Sequence, residues 1–307
     1  MEQKNSPLAI LLMLILALIW GTSFILMKRG LVVFQPQEVA ALRVTIAGIV
    51  LLPLAILKWK LIKKEHISKL FISGMLGVFI PAFLFVTAQQ YISSSVAGIL
   101  NTLSPLWTMV MGVLFFHVVF KRSAVFGVLI GLAGATILMV SRSPDGFLGF
   151  NAAGLLIVVA CAFYGVNLNF IKFKISDLNS LTITSISVVL LLPLALFALF
   201  FHVEQTTEPA FKIMIVQSGF IDKLLNTSGG WKAFGFVALL AFMSTAVAVS
   251  IFNKLVKMTT PLFASSVTYL MPIVSVMWGV FDGEVLTVTH FIGMAAILSG
   301  VYLANRK

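Results

Sequence analysis

Polar and reactive side chains are sparse in this 307-residue chain, so their positions carry information. Ser94, Gly98, Asn101, Pro105, Thr108 and Gly112 follow at steps of three or four, which puts them on one helix face. Ser265, Thr268, Pro272, Ser275 and Gly279 repeat that face later in the chain. Each proline lacks the N–H that would meet the carbonyl four residues back, at Asn101 and at Thr268. Two readings stay open for these faces. They line a substrate cavity, where irregular backbone is tolerated at membrane depth, or they are packing kinks with small residues for close helix contact. Trp20 and Ser23 lie one turn apart, as do Tyr164 and Asn167. Such aromatics stack on a ligand or close a gate, or else sit in an interfacial belt. Trp20 stands about twelve residues into its apolar run, deep for a belt residue.

Arg43 is the one basic residue clearly inside an apolar run. At mid-bilayer such a residue costs roughly 2.5–3.5 kcal/mol on insertion scales. It binds a substrate carboxylate, acts in a gate, or pairs with Glu38 while snorkelling outward. Lys28 and Lys172 occupy matching places at the ends of their runs and are gate candidates. All ten acidic residues fall in loops or at run ends, so proton-for-cation exchange on a buried carboxylate is not expected. His117, His202 and His290 lie at run ends and His66 in a basic loop, which suits interface roles. The single cysteine, Cys161, precludes a disulfide within the chain. No phosphate-binding loop, metal cluster or nucleophile elbow is visible, so neither a cofactor, a metal, ATP-driven work nor enzymatic catalysis is expected.

The elements that must position these residues follow from composition. The chain is 60% hydrophobic and 10% charged, against about 25% charged in soluble domains. Lipid must cover most of it. About 20 apolar residues cross the hydrocarbon as a helix. Continuous runs at 8–28, 38–57, 68–88, 94–118, 124–141, 152–173, 180–201, 232–254, 260–281 and 287–304 predict an all-α polytopic membrane protein of about ten spans. The runs are too long and unbroken for barrel strands. The first, Leu8 to Met27, reads as a retained span, not a secretory signal. With both termini cytoplasmic, 14 basic residues fall inside and 6 outside, as the positive-inside rule asks. The net charge of +11 then points to anionic lipid and topology, not nucleic acid. Residues 202–231 form one long periplasmic loop. Its apolar piece Phe211 to Leu225 is too short to span, and either lies flat at the interface or is irregular.

The two halves repeat each other. Ile19-Trp20-Gly21 recurs as Phe163-Tyr164-Gly165, and Leu51-Leu52-Pro53-Leu54-Ala55 as Leu191-Leu192-Pro193-Leu194-Ala195. Pro105 and Gly112 match Pro272 and Gly279, while Gly127 and Gly134 match Gly293 and Gly300. The latter glycines predict close helix packing, with a dimer contact as an alternative. Five spans per half is odd, so the second half, 146–307, sits inverted relative to the first, 1–145. Inverted repeats recur in secondary transporters, whose sites lie between them at mid-membrane.

The ordered landmarks resemble the EamA branch of the drug/metabolite transporter superfamily. The matching pieces are Trp20-Gly21-Thr22-Ser23-Phe24 with Lys28, Ala41-Leu42-Arg43, Ser104-Pro105-Leu106, Met271-Pro272-Ile273 and the glycine-bearing last span of each half. The resemblance covers nearly the whole chain. It implies ten helices in two inverted five-helix repeats, a central cavity, and efflux or exchange of amino acids, metabolites or drugs. The loop at 202–231 departs from the compact pattern. Members that depend on a first-span glutamate are not matched, since no acid falls between Leu8 and Met27. The expectation is a secondary carrier in a bacterial inner membrane, a monomer or homodimer among lipids, exporting small zwitterionic or amphipathic metabolites such as amino acids. Its substrate-binding candidates are Trp20, Ser23, Arg43, Asn101, Pro105, Tyr164, Asn167, Thr268 and Pro272. Competing expectations are a multidrug or nucleoside exporter and a non-transporting scaffold or sensor. An intramembrane enzyme would need a cluster of His, Asp, Glu or Cys at one depth, which the sequence lacks.

Overall fold

A computed structural model describes residues 7–118, 122–140, 152–206, 212–259 and 261–305. Lys4, Lys121, Arg142, Phe211, Arg306 and Lys307, which entered the charge and loop arguments, lie outside them. The apolar runs fold as helices because only a helix satisfies every backbone group within one lipid-covered segment. In chain order these are α1 (Pro7–Gly30), α2 (Pro36–Lys58), α3 (Lys64–Ala88), α4 (Ser94–Phe116), α5 (Arg122–Val140), α6 (Ala153–Lys174) and α7 (Ser180–Phe200). After a hairpin come α8 (Phe220–Asn226), α9 (Gly230–Met258), α10 (Phe263–Phe281) and α11 (Val288–Asn305). Among the described residues, eight helices are long and apolar enough to cross a membrane: α1 to α4, α6, α7, α9 and α10. The chain's polar residues set several starts. Ser93 caps α4 by accepting from the Val96 amide, and Asn179 caps α7 by accepting from the Thr182 amide.

Two apolar clusters form the interior. One gathers Phe24, Leu42, Phe85 and Leu100; the other gathers Leu16, Leu70, Ile171 and Leu255. Leu11, Leu18, Ile49, Ile56 and Phe242 point outward, where a soluble protein would carry charge. The expected fifth and tenth spans, α5 and α11, pack on each other along their glycines. A Cβ on Gly134 would stand 2.8 Å from the Gly293 carbonyl oxygen, and one on Gly300 would stand 2.5 Å from that of Gly127. The small faces therefore serve contact within the chain, as close packing in lipid requires.

The long loop is more ordered than the sequence reading allowed. Phe201–Thr206 (β1) and Lys212–Gln217 (β2) pair antiparallel, from Phe201 opposite Gln217 to Thr206 opposite Lys212. The apolar piece is therefore not one flat element: it is a strand, a bend at Ser218 and Gly219, then α8. β-Branched residues at Ile213, Ile215 and Val216 favour the strand. The bend needs Gly219, whose φ is 72°. Helix α8 docks on the α1–α2 turn through Phe220 against Phe34, with ring centroids 5.3 Å apart, and through Lys223 Nζ to Glu38 at 2.8 Å.

Packing at the glycine seam gives a direct expectation. Gly300→Val should separate α5 from α11 and cost about 1–3 kcal/mol, the usual penalty for overpacking. A thermal melt of the purified variant should show the loss, while Gly235→Ala, with open space at its Cβ, should melt as wild type.

Candidate functional site

Among the described residues α7 is broken by a turn at Leu190–Leu191 ahead of Pro193, and four further helices depart from α geometry where they meet. In α3, Met75–Phe79 widens to a π turn, closed by the Ile80 amide on the Met75 carbonyl, five residues back. Pro81 follows and cannot donate to the Gly77 carbonyl. In α9, Ala241–Val247 does the same, with the Ala248 amide on the Met243 carbonyl. In α4 and α10 the helix tightens to 3₁₀ at Asn101–Leu103 and Ser266–Tyr269, just ahead of Pro105 and Pro272. The Asn101 carbonyl, deprived of its usual partner, accepts from the Ser104 amide and from Ser104 Oγ at 2.8 Å. Such interruptions concentrate at functional sites.

All four contribute to the wall of one cavity: Gly77 and Val78, Thr245, Asn101 and Thr268. The cavity holds about 100 Å³ open to the centres of water molecules. Seven of the nine sequence candidates line it, namely Trp20, Ser23, Arg43, Asn101, Tyr164, Asn167 and Thr268. Pro105 and Pro272 are buried and do not line it; their contribution is to the backbone beside it.

The wall is largely apolar, with neutral hydrogen-bonding groups set into it. Trp20 Nε1 donates to the Ser244 carbonyl at 3.0 Å, inside the second π segment, and its ring meets Phe252 edge-on at 4.8 Å. Ser23 Oγ donates to the Trp20 carbonyl. Asn167 Oδ1 accepts from Ser73 Oγ at 2.8 Å, and Asn253 Nδ2 donates to Thr184 Oγ1 at 2.7 Å. Ser187 Oγ is buried without a partner in the same wall. The expected pairing of Arg43 with Glu38 does not form. Arg43 Nε donates to Thr245 Oγ1 at 2.8 Å, and Glu38 is taken by Lys223. The physical reason is reach: α8 brings an ammonium onto Glu38, and the π segment brings a hydroxyl onto Arg43.

The gate candidates lie at opposite ends. Where α1 finishes, Lys28 Nζ stands 2.6 Å from Asp282 Oδ2 and 3.2 Å from Glu284 Oε1, and Arg29 pairs with Asp282. Glu284 also accepts from the Ser94 and Ser95 amides at 3.0 and 3.1 Å and from Ser95 Oγ at 2.6 Å. It thus ties the start of α4 to the end of α10. Gly98 and Gly279 let those helices close up, since a Cβ on either would run into Ser275 or Ser95. Burial alone would raise the Glu284 carboxyl, but the Ser95, Lys28 and Ser94 hydrogen bonds outweigh it and hold it below the usual carboxylate range. Asp282 is held low in the same way, against burial, by Lys28 and Arg29. At the other end Lys172 Nζ donates to the Thr259 carbonyl at 3.0 Å, and His66 Nε2 meets Asp177 Oδ2 at 2.9 Å. The lining reaches that end through Ile183 and Asn253, each within two turns of a helix terminus.

Sequence reasoning missed Ser73, Thr184, Ser187, Thr245 and Asn253. Their signal was present as hydroxyl and amide residues inside apolar runs, notably Thr182, Thr184, Ser185 and Ser187 together. It also left Asp282 and Glu284 as plain loop acids.

A model of the EamA-like transporter family matches residues 7–140 and again 151–306. An uncharacterized transporter of Archaeoglobus fulgidus is 25% identical over 94% of this chain and 95% of that protein. The uncharacterized inner membrane transporter YedA of Escherichia coli is 23% identical over 94% and 88%. A solved crystal structure superposes with a TM-score of 0.64 at 18% identity, covering 97% of this chain and 96% of that one, which supports the fold alone.

The ion-pair lock has a pH signature. Its charged state is complete above the ordinary carboxylate range and is lost only as pH falls through the depressed values of Asp282 and Glu284. Spin labels at the exposed Val32 and Val285, in a Cys161→Ala background, should hold one short distance at pH 7 and pH 5 and lengthen only in stronger acid. Glu284→Ala should lengthen it already at pH 7, as measured by electron paramagnetic resonance.

Proposed function

The chain belongs to the EamA-like transporter family, and on that premise we propose that this multi-pass membrane protein is a secondary carrier working by alternating access. The observation that carries the reading is the convergence of four helix interruptions on one cavity whose apolar wall carries several polar groups. Non-helical backbone at membrane depth is stable only where it is buried or faces water, and here it surrounds space for a solute. That space is well above the minimum that holds one water, which suits a small metabolite of the amino-acid kind. The lock at Lys28, Asp282 and Glu284 is one gate in this reading. The lysine at 172, on the opposite end, belongs to the other.

Residues 1–145 and 146–307 are the two five-helix repeats, inverted relative to each other, with α5 and α11 completing ten spans. The double match to one family model supports this division. Third elements α3 and α9 both carry a π segment, and fourth elements α4 and α10 both carry a 3₁₀ segment before proline. The excess of lysine and arginine on the α1-starting face orients both termini to the cytoplasm of a bacterial inner membrane, with the lock outside.

Counterflow of radiolabelled amino acids and nucleosides in proteoliposomes tests the carrier and its substrate class together. Asn101→Leu and Tyr164→Ala should each lower flux about tenfold, the loss of ~1.4 kcal/mol of wall contacts, with insertion unchanged. Wild-type rates in both would remove the cavity from the transport path.

A further inference from the structure

Arg43 is the one charged residue among the described lining residues, and it is short of partners. A guanidinium carries five N–H donors and is not deprotonated in proteins. One donor goes to Thr245 Oγ1 at 2.8 Å, and another faces Met27 Sδ at 3.9 Å, a weak acceptor. Glu38, five residues earlier on α2, is engaged by Lys223 Nζ at 2.8 and 2.9 Å and by the Gln35 amide at 2.8 Å. No Asp or Glu lines the cavity among the described residues. The wall therefore holds a positive charge that the protein itself leaves without a counter-ion, a costly arrangement unless an anion completes it.

Resting on the transporter reading, we propose that the cavity takes small organic acids of net charge −1, with the carboxylate on the free guanidinium edge of Arg43. Arginine and a carboxylate match as planar, two-pronged partners, and Thr245 fixes the Nε side so that the Nη edge turns to the ligand. Trp20, Phe24, Phe85 and Phe252 offer the hydrocarbon body an apolar wall. An ammonium meets only neutral oxygens here, such as the unpartnered Ser187 Oγ, and is repelled by Arg43. The site thus ranks a monoanion above a zwitterion and rejects a cation of the same shape. This ordering separates it from a site built for neutral or cationic solutes.

Isocaproate, leucine and isoamylamine share one branched hydrocarbon body and differ in charge, so they isolate the effect. Binding to the purified full-length protein, followed by thermal shift and tryptophan fluorescence at millimolar concentrations, should rank isocaproate first, leucine next and isoamylamine about tenfold or more below isocaproate. Arg43→Met should weaken isocaproate about tenfold and strengthen isoamylamine, while Arg43→Lys keeps part of the preference. Should Arg43→Met fail to fold, Thr245→Ala keeps the charge, loosens its aim, and should weaken isocaproate severalfold. Isoamylamine binding as tightly as isocaproate, isocaproate binding unaffected in these variants, or binding of none of the three would overturn the proposal. Isocaproate binding without counterflow of any solute overturns the transport reading and leaves this one standing; counterflow of isoamylamine does the reverse.

Discussion

A lipid-covered chain has no water to satisfy its backbone, so every departure from helical hydrogen bonding must turn toward protein or a wet cavity. That constraint organises this molecule. The π turns at Met75–Phe79 and Ala241–Val247 and the 3₁₀ turns at Asn101–Leu103 and Ser266–Tyr269 lie in four different helices. Each still finds the same cavity. The freed groups are put to use. The Ser244 carbonyl takes the Trp20 indole, and the Thr245 hydroxyl takes Arg43. The site is thus assembled by defects in the helices rather than by a loop.

Charge is divided between cavity and rim. The described wall carries one cation among hydroxyls, amides, rings and aliphatic side chains. The acids of the α10–α11 turn stand outside it, where Glu284 gathers donors from Lys28, Ser94 and Ser95. A carboxylate shared by three elements suits a two-state contact, since its three bonds to Ser94 and Ser95 break together when α4 and α10 part. In the proposed reading, one cation in an otherwise neutral wall makes the solute's charge decide affinity, while the ion pairs at the rim control access.

Much of this was legible in the residues. Apolar runs located the helices because length and hydropathy follow from bilayer thickness. Pro105 and Pro272 marked two of the four interruptions, and steps of three and four marked the faces beside them. The π turns had weaker marks: Pro81 hints at the first, but Ala241–Val247 holds neither proline nor glycine, so only packing against Trp20 and Arg43 explains it. The β1–β2 hairpin was hidden because β2 and α8 look like one apolar interface segment when read as a single piece. The partner of Arg43 was misjudged for a related reason. Glu38 is near in sequence, but Lys223 arrives on it from a helix 185 positions away.

The most direct test is a single-cysteine accessibility map in a Cys161→Ala background. Cysteines at Ser23, Val78, Thr245 and Thr268, one from each of four elements, are compared with outward-facing Leu18 and Ile49. The account predicts that a water-soluble, membrane-impermeant thiol reagent modifies all four cavity positions from the same membrane face and neither outward control. Modification of the four from different faces, or no more reaction than at Leu18 and Ile49, would contradict a single shared water-filled cavity.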